Sequence, residues 1–264
     1  MKIIISPAKK MNLCDAMIPV LGFPALLDQA ERLKEYIRSL SRKEVSTMWK
    51  CNEKLTELNY WRFQNMDLRN NLTPALLAYE GIQYQYMAPA VFDNQQWEYV
   101  TKHLRILSGF YGILRPMDGV VPYRLEMQAK GMFPSRQEGK EKKCKRVSTL
   151  YQFWKDDIYK ELSRPEGTVI INLASKEYSK AVEPYLQPKD RFVTCVFGQL
   201  EPAGKGEFKI KVKGTEAKMA RGEMVRFLAA HEIENPEQMK EFTALGYEYK
   251  EELSKADEFV FCKK

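Results

Sequence analysis

The densest run of chemically useful side chains lies between residues 102 and 127. There Arg105, Ser108, Gly109, Tyr111, Arg115, Asp118, Tyr123, Arg124 and Glu126 follow one another closely. A compact apolar run, Leu104-Arg105-Ile106-Leu107, ends in Ser108-Gly109, where side-chain bulk vanishes and backbone N–H groups can face a ligand. Arginines beside such a turn can clamp a phosphate bidentately, and Tyr123 can stack on a base. Arg124 and Glu126 are two apart, so they share a face if the segment is extended. The plain alternative is that Gly109 and Gly112 serve turns while Arg124 and Glu126 form a structural pair.

Three further segments carry polar groups where ligands collect. Ser6-Pro7-Ala8-Lys9-Lys10 follows the apolar Ile3-Ile4-Ile5, and in open α/β sheets the carboxyl ends of strands bind ligands. It lacks the glycines of a phosphate loop. Asn172-Leu173-Ala174-Ser175-Lys176-Glu177-Tyr178 reads as a strand, a polar turn and a helix start, with Ser175 first of all an N-cap. Lys218, Arg221 and Arg226 fall on one predicted helix. Lys218 and Arg221 are three apart and share a face, and Gly222 lets another backbone approach. A solvated helix face is the alternative. If these segments meet in a pocket, Glu126 and Glu177 are its candidate general acid and base.

The elements that must position these groups are legible from periodicity. Ile3-Ile4-Ile5 is a short buried strand stopped by Ser6-Pro7. From Pro24 to about Trp61 the pattern is helical, with Leu26, Ala30, Leu33, Tyr36, Ile37 and Leu40 on one face. Ser41 and Glu44 form a capping box that opens a second helix. Residues 72–91 begin helical and turn irregular. Later, Leu104–Leu107, Val169–Leu173, Arg191–Phe197, Phe208–Val212 and Asp257–Cys262 read as strands, with Arg191–Phe197 and Phe208–Val212 as antiparallel neighbours. An amphipathic helix is expected over 216–231 and another from Pro236. The chain thus reads as mixed α/β, a single domain over 1–264 with a helical part about 24–92 and a basic insertion about 131–148.

Composition narrows the function classes. In 264 residues the 42 Lys and Arg outnumber the 35 acids, a net charge of +7 that favours a polyanionic partner. Five scattered Cys and two His show no metal-ligand or disulfide spacing, so no metal and no cofactor is expected. No Gly-x-Ser-x-Gly elbow or triad pattern supports nucleophilic catalysis, and His103 beside apolar residues reads as structural. Only Cys144, set among Lys142, Lys143, Lys145 and Arg146, has neighbours that lower a thiol pKa. Neither a signal peptide nor a membrane span is expected, which points to a cytoplasmic protein.

Taken together, the motifs resemble one family. Ser6-Pro7-Ala8-Lys9, Leu104–Gly112 with Leu114-Arg115-Pro116, and Pro122-Tyr123-Arg124-Leu125-Glu126-Met127 are similar to those of the YaaA peroxide-stress protein family. So are Tyr151-Gln152-Phe153-Trp154, Ile171–Ser175 with Glu177-Tyr178, and Ala220-Arg221-Gly222 with Met224, Arg226 and Phe227. They stand in family order and span nearly the whole chain. Two departures are visible: Tyr84-Gln85-Tyr86 lacks the family's glycine, and Gln128 stands where a glycine is expected. The resemblance implies a compact α/β body with a basic cleft and a helix-hairpin-helix-like element, here best seated around Leu40–Val45. It also implies a protein of peroxide survival that limits iron-promoted DNA damage and binds DNA, double-stranded or locally distorted, by structure rather than sequence. An enzyme acting on a nucleotide or modified base, in a pocket formed by Ser108, Arg124, Glu126, Asn172, Ser175 and Glu177, is the rival reading.

Overall fold

Ile3, Ile4 and Ile5 are fully buried, so the strand they form is covered on both faces, as a central parallel strand must be. In this computed structural model, which describes residues 1–13, 18–135, 146–204 and 207–263, that strand is β1 (Lys2–Ile5), at the heart of an eight-stranded mixed sheet. The other strands are β2 (Leu104–Ser108), β3 (Gly112–Leu114), β4 (Val169–Leu173), β5 (Arg191–Gly204), β6 (Glu207–Lys211), β7 (Tyr247–Tyr249) and β8 (Glu258–Lys263). Their order is β7-β8-β5-β4-β1-β2-β3, with β6 paired to the far end of β5. β8, β5, β4, β1 and β2 run parallel, while β7, β6 and β3 are antiparallel to their neighbours. Strands are present at both Arg191–Phe197 and 207–211, but they are not the antiparallel neighbours expected. Arg191–Phe197 lies between β4 and β8 in parallel register, and β6 pairs instead with residues 199–204, because β5 runs on past Phe197.

The topology itself points to a place. The chain leaves β1 toward β2 on one side, and leaves β4 toward β5 on the other. β1 and β4 are adjacent and parallel, with Ile5 level with Leu173. Where neighbouring strands send their connections in opposite directions, a crevice opens at their carboxyl ends.

Helices cover the sheet and share one contiguous apolar core with it. α1 (Leu27–Arg38), α2 (Arg42–Trp49) and α3 (Glu53–Asn65) form the expected helical region, and α2 begins with the Ser41–Glu44 capping box in both directions. The turn 39–41 between α1 and α2 contains no glycine. After them, residues 72–91 alternate two-residue strands with short helices, including α4 (Ile82–Met87). α5 (Asn94–His103) leads into β2, and α6 (Leu150–Trp154) and α7 (Asp157–Leu162) precede β4. α8 (Lys176–Ser179) follows β4, and α9 (Gly214–Ala230) is the long helix expected over 216–231. The helix expected from Pro236 is a 3-10 turn, Pro236–Glu241, capped by the Asn235 side chain. Of the basic insertion, Lys130–Pro134 and Arg146–Thr149 pair as a two-stranded hairpin; Lys140, Lys142, Lys143, Cys144 and Lys145 lie outside the described residues.

Gly222 sets how closely α9 approaches α4. A β-carbon there would press into the Gln83 carbonyl oxygen and lie 2.9 Å from the Met87 nitrogen, so only glycine admits this contact. It brings the side chains of α9 over the crevice.

Candidate functional site

The crevice at the β1/β4 switch point is a cleft of about 410 Å³. Its floor is built from the first residues beyond the two strands. The Ser175 N–H donates to Ser6 Oγ at 2.8 Å, and the two hydroxyl oxygens lie 3.2 Å apart. Ser175 was expected to cap α8. Its backbone does have cap geometry, but its side chain makes no capping bond and meets Ser6 instead. Tyr84 of α4 donates its hydroxyl to the Ser6 carbonyl at 2.9 Å, tying that helix to the floor.

One wall is the extended segment after β3. Arg124 Nη2 donates to Glu126 Oε1 at 3.0 Å, the i, i+2 pairing that an extended chain allows. Lys9 reaches the other oxygen, Oε2, at 3.1 Å, so Glu126 bridges two cations. Glu177 stands beside them and accepts from the Gln128 N–H at 3.2 Å. Burial, reinforced by the Glu126 carboxylate, holds Glu177 above the usual carboxylate range despite that hydrogen bond. On the opposite side Lys218 and Arg221 project from α9. Among the described residues neither is in an ion pair, and the Arg221 Nε, like the Arg124 Nε, is buried without a hydrogen-bond partner. Burial accordingly lowers the Arg221 pKa.

Of the residues singled out from sequence, Ser6, Lys9, Tyr123, Arg124, Glu126, Ser175, Glu177, Tyr178, Lys218 and Arg221 line this cleft. Others hold it up from behind. Ser108 is fully buried; its Oγ accepts from the Tyr111 N–H at 2.9 Å and lies 2.6 Å from the Tyr123 hydroxyl. That hydroxyl also meets Tyr79 at 2.7 Å, closing a buried chain of three hydroxyls. Tyr123 is only 4% exposed, with its ring packed among Phe110, Tyr111 and Tyr79, so it is a wall of the cleft and not a free stacking surface. Tyr111 lies in the core, its hydroxyl accepting from the Val121 N–H. Gly109 lets the Leu125–Glu126 backbone pass: a β-carbon there would lie 2.9 Å from the Glu126 carbonyl carbon. Asn172 braces the bend after β4, accepting from the Ala174 N–H at 3.0 Å and donating to Thr194.

Arg105 and Arg115 are elsewhere, at the opposite end of the sheet, and Arg226 is exposed beyond the cleft on α9. His103 is buried against the Met1 carbonyl, in keeping with a structural role. The residues that sequence reasoning missed come with α4 and the bridge before it. Lys10-Met11 pairs antiparallel with Tyr79-Glu80, and this brings Glu80 to the rim and Tyr84, in the helix that follows, to the floor. Lys10 Nζ contacts Glu80 Oε1 at 2.5 Å. The available signal was Gly81, a small residue just before an aromatic helix that lies 3.0 Å from Ala8 when given a β-carbon.

Five cationic and three carboxylate side chains therefore line the cleft, a surface of mixed sign with a cationic excess. Such a site can hold an anionic group on Lys218 and Arg221, and can accept hydrogen bonds from a ligand's N–H groups at Glu126 and Glu177. Among the described residues no three His, Cys, Asp or Glu side chains are grouped to hold a metal ion. The Cys195 thiol beneath Arg221 is pushed up to about 12 by burial, which makes it a poor nucleophile. Purified protein dialysed against a chelator is expected to retain no stoichiometric transition metal; elemental analysis showing one tightly held iron per chain would contradict this. Among the described residues no helix is long and apolar enough to cross a membrane.

Comparison with known proteins places this architecture. The chain is 52% identical over its full length to a UPF0246 protein of Agathobacter rectalis, covering 99% of that protein. A UPF0246 protein of Desulfitobacterium hafniense is 50% identical, with 98% of it covered, and one of Pediococcus pentosaceus is 46% identical, again with 98% covered. Residues 1–253 match the family described as peroxide stress protein YaaA, as the motifs around the cleft led one to expect, and the chain belongs to that family.

Proposed function

We propose that this chain serves the peroxide-stress response by binding DNA, taking a nucleotide of a locally opened or distorted duplex into the switch-point cleft and so limiting the damage that iron promotes. The observation that carries this reading is that Lys218 and Arg221, in no ion pair among the described residues, face the half-buried carboxylates of Glu126 and Glu177 across a cleft of about 410 Å³. That volume is in the range of pockets for small organic ligands, roughly 300–1,000 Å³. The arginine and lysine suit a phosphate, and the carboxylates suit the N–H edges of a base. A fully paired duplex cannot present a base edge to a pocket of this shape without extruding it, so selectivity would be for structure rather than sequence. The net charge of +7 favours the encounter.

Salt tests the electrostatic part. Log affinity for DNA is expected to fall linearly with log salt, and Lys218→Ala to reduce the slope by about 0.7–0.9. Affinity indifferent to salt would contradict a phosphate-holding cleft.

One observation favours a second reading. Glu177, its pKa raised by burial, stands beside the ionically paired Glu126, an arrangement in which one carboxyl can hold a proton while the other stays charged. An enzyme acting on a nucleotide or modified base would use that difference. Mass analysis of nucleosides and oligonucleotides after incubation separates the readings: a product lost with Glu177→Gln supports catalysis, and unchanged material supports binding alone.

A further inference from the structure

At the end of the sheet away from the cleft, a row of like charge crosses three strands. Arg105 is level with Ile4 in the β1–β2 register, and Lys2 lies two residues before Ile4, so Lys2 and Arg105 stand on one face. In β2–β3, Ile106 is level with Leu114, so Arg115, the first residue after β3, follows beside the start of β2 and is close enough to repel Arg105. Arg164, from the turn before β4, is close enough to repel both Lys2 and Arg105. Four cations gathered at one end of a sheet repel one another and destabilise it unless something offsets their charge.

Ordinary ion pairing does not supply one. Among the described residues none of Lys2, Arg105, Arg115 and Arg164 is in ion-pair contact with a carboxylate. Lys2 Nζ is spent on the Lys102 carbonyl at 2.7 Å, and Arg105 Nη1 on the Leu104 carbonyl at 2.6 Å. Two carboxylates offset part of the row without closing an ion pair: Asp118 and Glu161 attract Arg105, and Asp118, only 5% exposed, also attracts Arg115 and accepts from its backbone N–H at 2.8 Å through Oδ2. Burial and then the neighbouring arginines push Lys2 down to about 8, and burial and then Arg115 push Arg105 down to about 10. Arg115 and Arg164 remain exposed, their guanidinium groups open to solvent.

We propose that Lys2, Arg105, Arg115 and Arg164 form an anion site for a phosphate group, distinct from the cleft at the other end of β1. A phosphate would accept from the open forks of Arg115 and Arg164 and relieve the repulsion that the buried Lys2 and half-buried Arg105 suffer. The site does not depend on the cleft binding DNA.

The test compares the wild type with the double variant Arg115→Ala/Arg164→Ala and with the cleft variant Lys218→Ala. Both residues of the double variant are exposed, so its fold should survive. Melting temperature is read in pyrophosphate against chloride at equal ionic strength, and affinity is read for a fully paired duplex. Pyrophosphate at about a hundred times its dissociation constant should raise the wild-type melting temperature by about 5 °C. The double variant should lose that rise while melting within a few degrees of the wild type in chloride, since it also removes an arginine that attracts the buried Asp118, and Lys218→Ala should keep it. If pyrophosphate is silent but the double variant loses at least about tenfold in duplex affinity, the phosphate belongs to a nucleic-acid backbone, and the site stands. A pyrophosphate rise that survives in the double variant overturns the proposal. So does a double variant that leaves both readings unchanged.

Discussion

Gly222→Ala is expected to lower the melting temperature by up to about 8 °C and to abolish ligand binding in the cleft. One added methyl group forces α9 off the α4 backbone, because it meets the Gln83 carbonyl oxygen and the Met87 nitrogen rather than a side chain that can rotate away. Overpacking of this kind costs about 1–3 kcal/mol, and each kcal/mol is worth roughly 2–4 °C in a domain of this size. The loss comes in spite of the roughly 1 kcal/mol that alanine gains over glycine within a helix. Gly214, at the start of the same helix, has nothing within 4 Å of its would-be β-carbon, so Gly214→Ala should leave stability unchanged or slightly improved. Thermal melts of the two variants side by side check the account: equal melts would show that the α4–α9 contact yields to a β-carbon. Binding is coupled to this contact because Lys218 and Arg221 stand on α9 while Tyr84 stands on α4.

Arg124→Ala is expected to weaken DNA binding by about tenfold or more while lowering the melting temperature by only a few degrees. A charge-assisted hydrogen bond is worth about 1.5–3 kcal/mol, enough for that loss of affinity. Stability is spared because Glu126 keeps a second cation: Lys9 reaches its other oxygen at 3.1 Å. Were Arg124 its sole partner, removing it would strand a largely buried carboxylate, at a cost of several kcal/mol. The double substitution Arg124→Ala/Lys9→Ala does strand it, so its melting temperature should fall by more than the two single falls combined. Additive melts would show that Glu126 does not depend on either cation. Arg124→Ala with unchanged affinity would remove that arginine from the site.

The cleft was legible from sequence where local spacing determines geometry. Ser41 and Glu44 announce a helix start because the capping box is a four-residue device, and it is present in both directions. Arg124 and Glu126 needed only an extended backbone to meet, and they do at 3.0 Å. Ile3-Ile4-Ile5 could only be a strand buried on both faces, and that placed Ser6 at a carboxyl end. Beyond such local rules, the type of a residue does not reveal which way it faces. Ser108, Tyr111 and Asn172 stand at strand ends as site residues would, yet their polar atoms are spent on backbone N–H groups that a tight turn leaves unpaired.

Chain reversal hid more. Arg105 and Arg115 lie close in sequence to Arg124, but the β2–β3 hairpin carries both to the far end of the sheet. Glu80 and Tyr84 were missed for a different reason. The strands that deliver them, Lys10-Met11 and Tyr79-Glu80, are two residues each, too short to show any periodicity. The turn 39–41, where a helix-hairpin-helix-like element was expected, joins α1 to α2 without a glycine.

The central claim is that the switch-point cleft, and not the general surface charge, takes hold of DNA where the duplex is open. Fluorescence anisotropy titrations of a duplex with a short unpaired bubble and of the same duplex fully paired, with wild type and with Lys218→Glu, test it most directly. Lys218 is exposed, so the charge reversal should leave the fold intact. The wild type should bind the bubbled duplex at least about tenfold more tightly, the equivalent of about 1.4 kcal/mol, and Lys218→Glu should erase that preference. Equal affinity for both duplexes, unmoved by Lys218→Glu, would contradict the account.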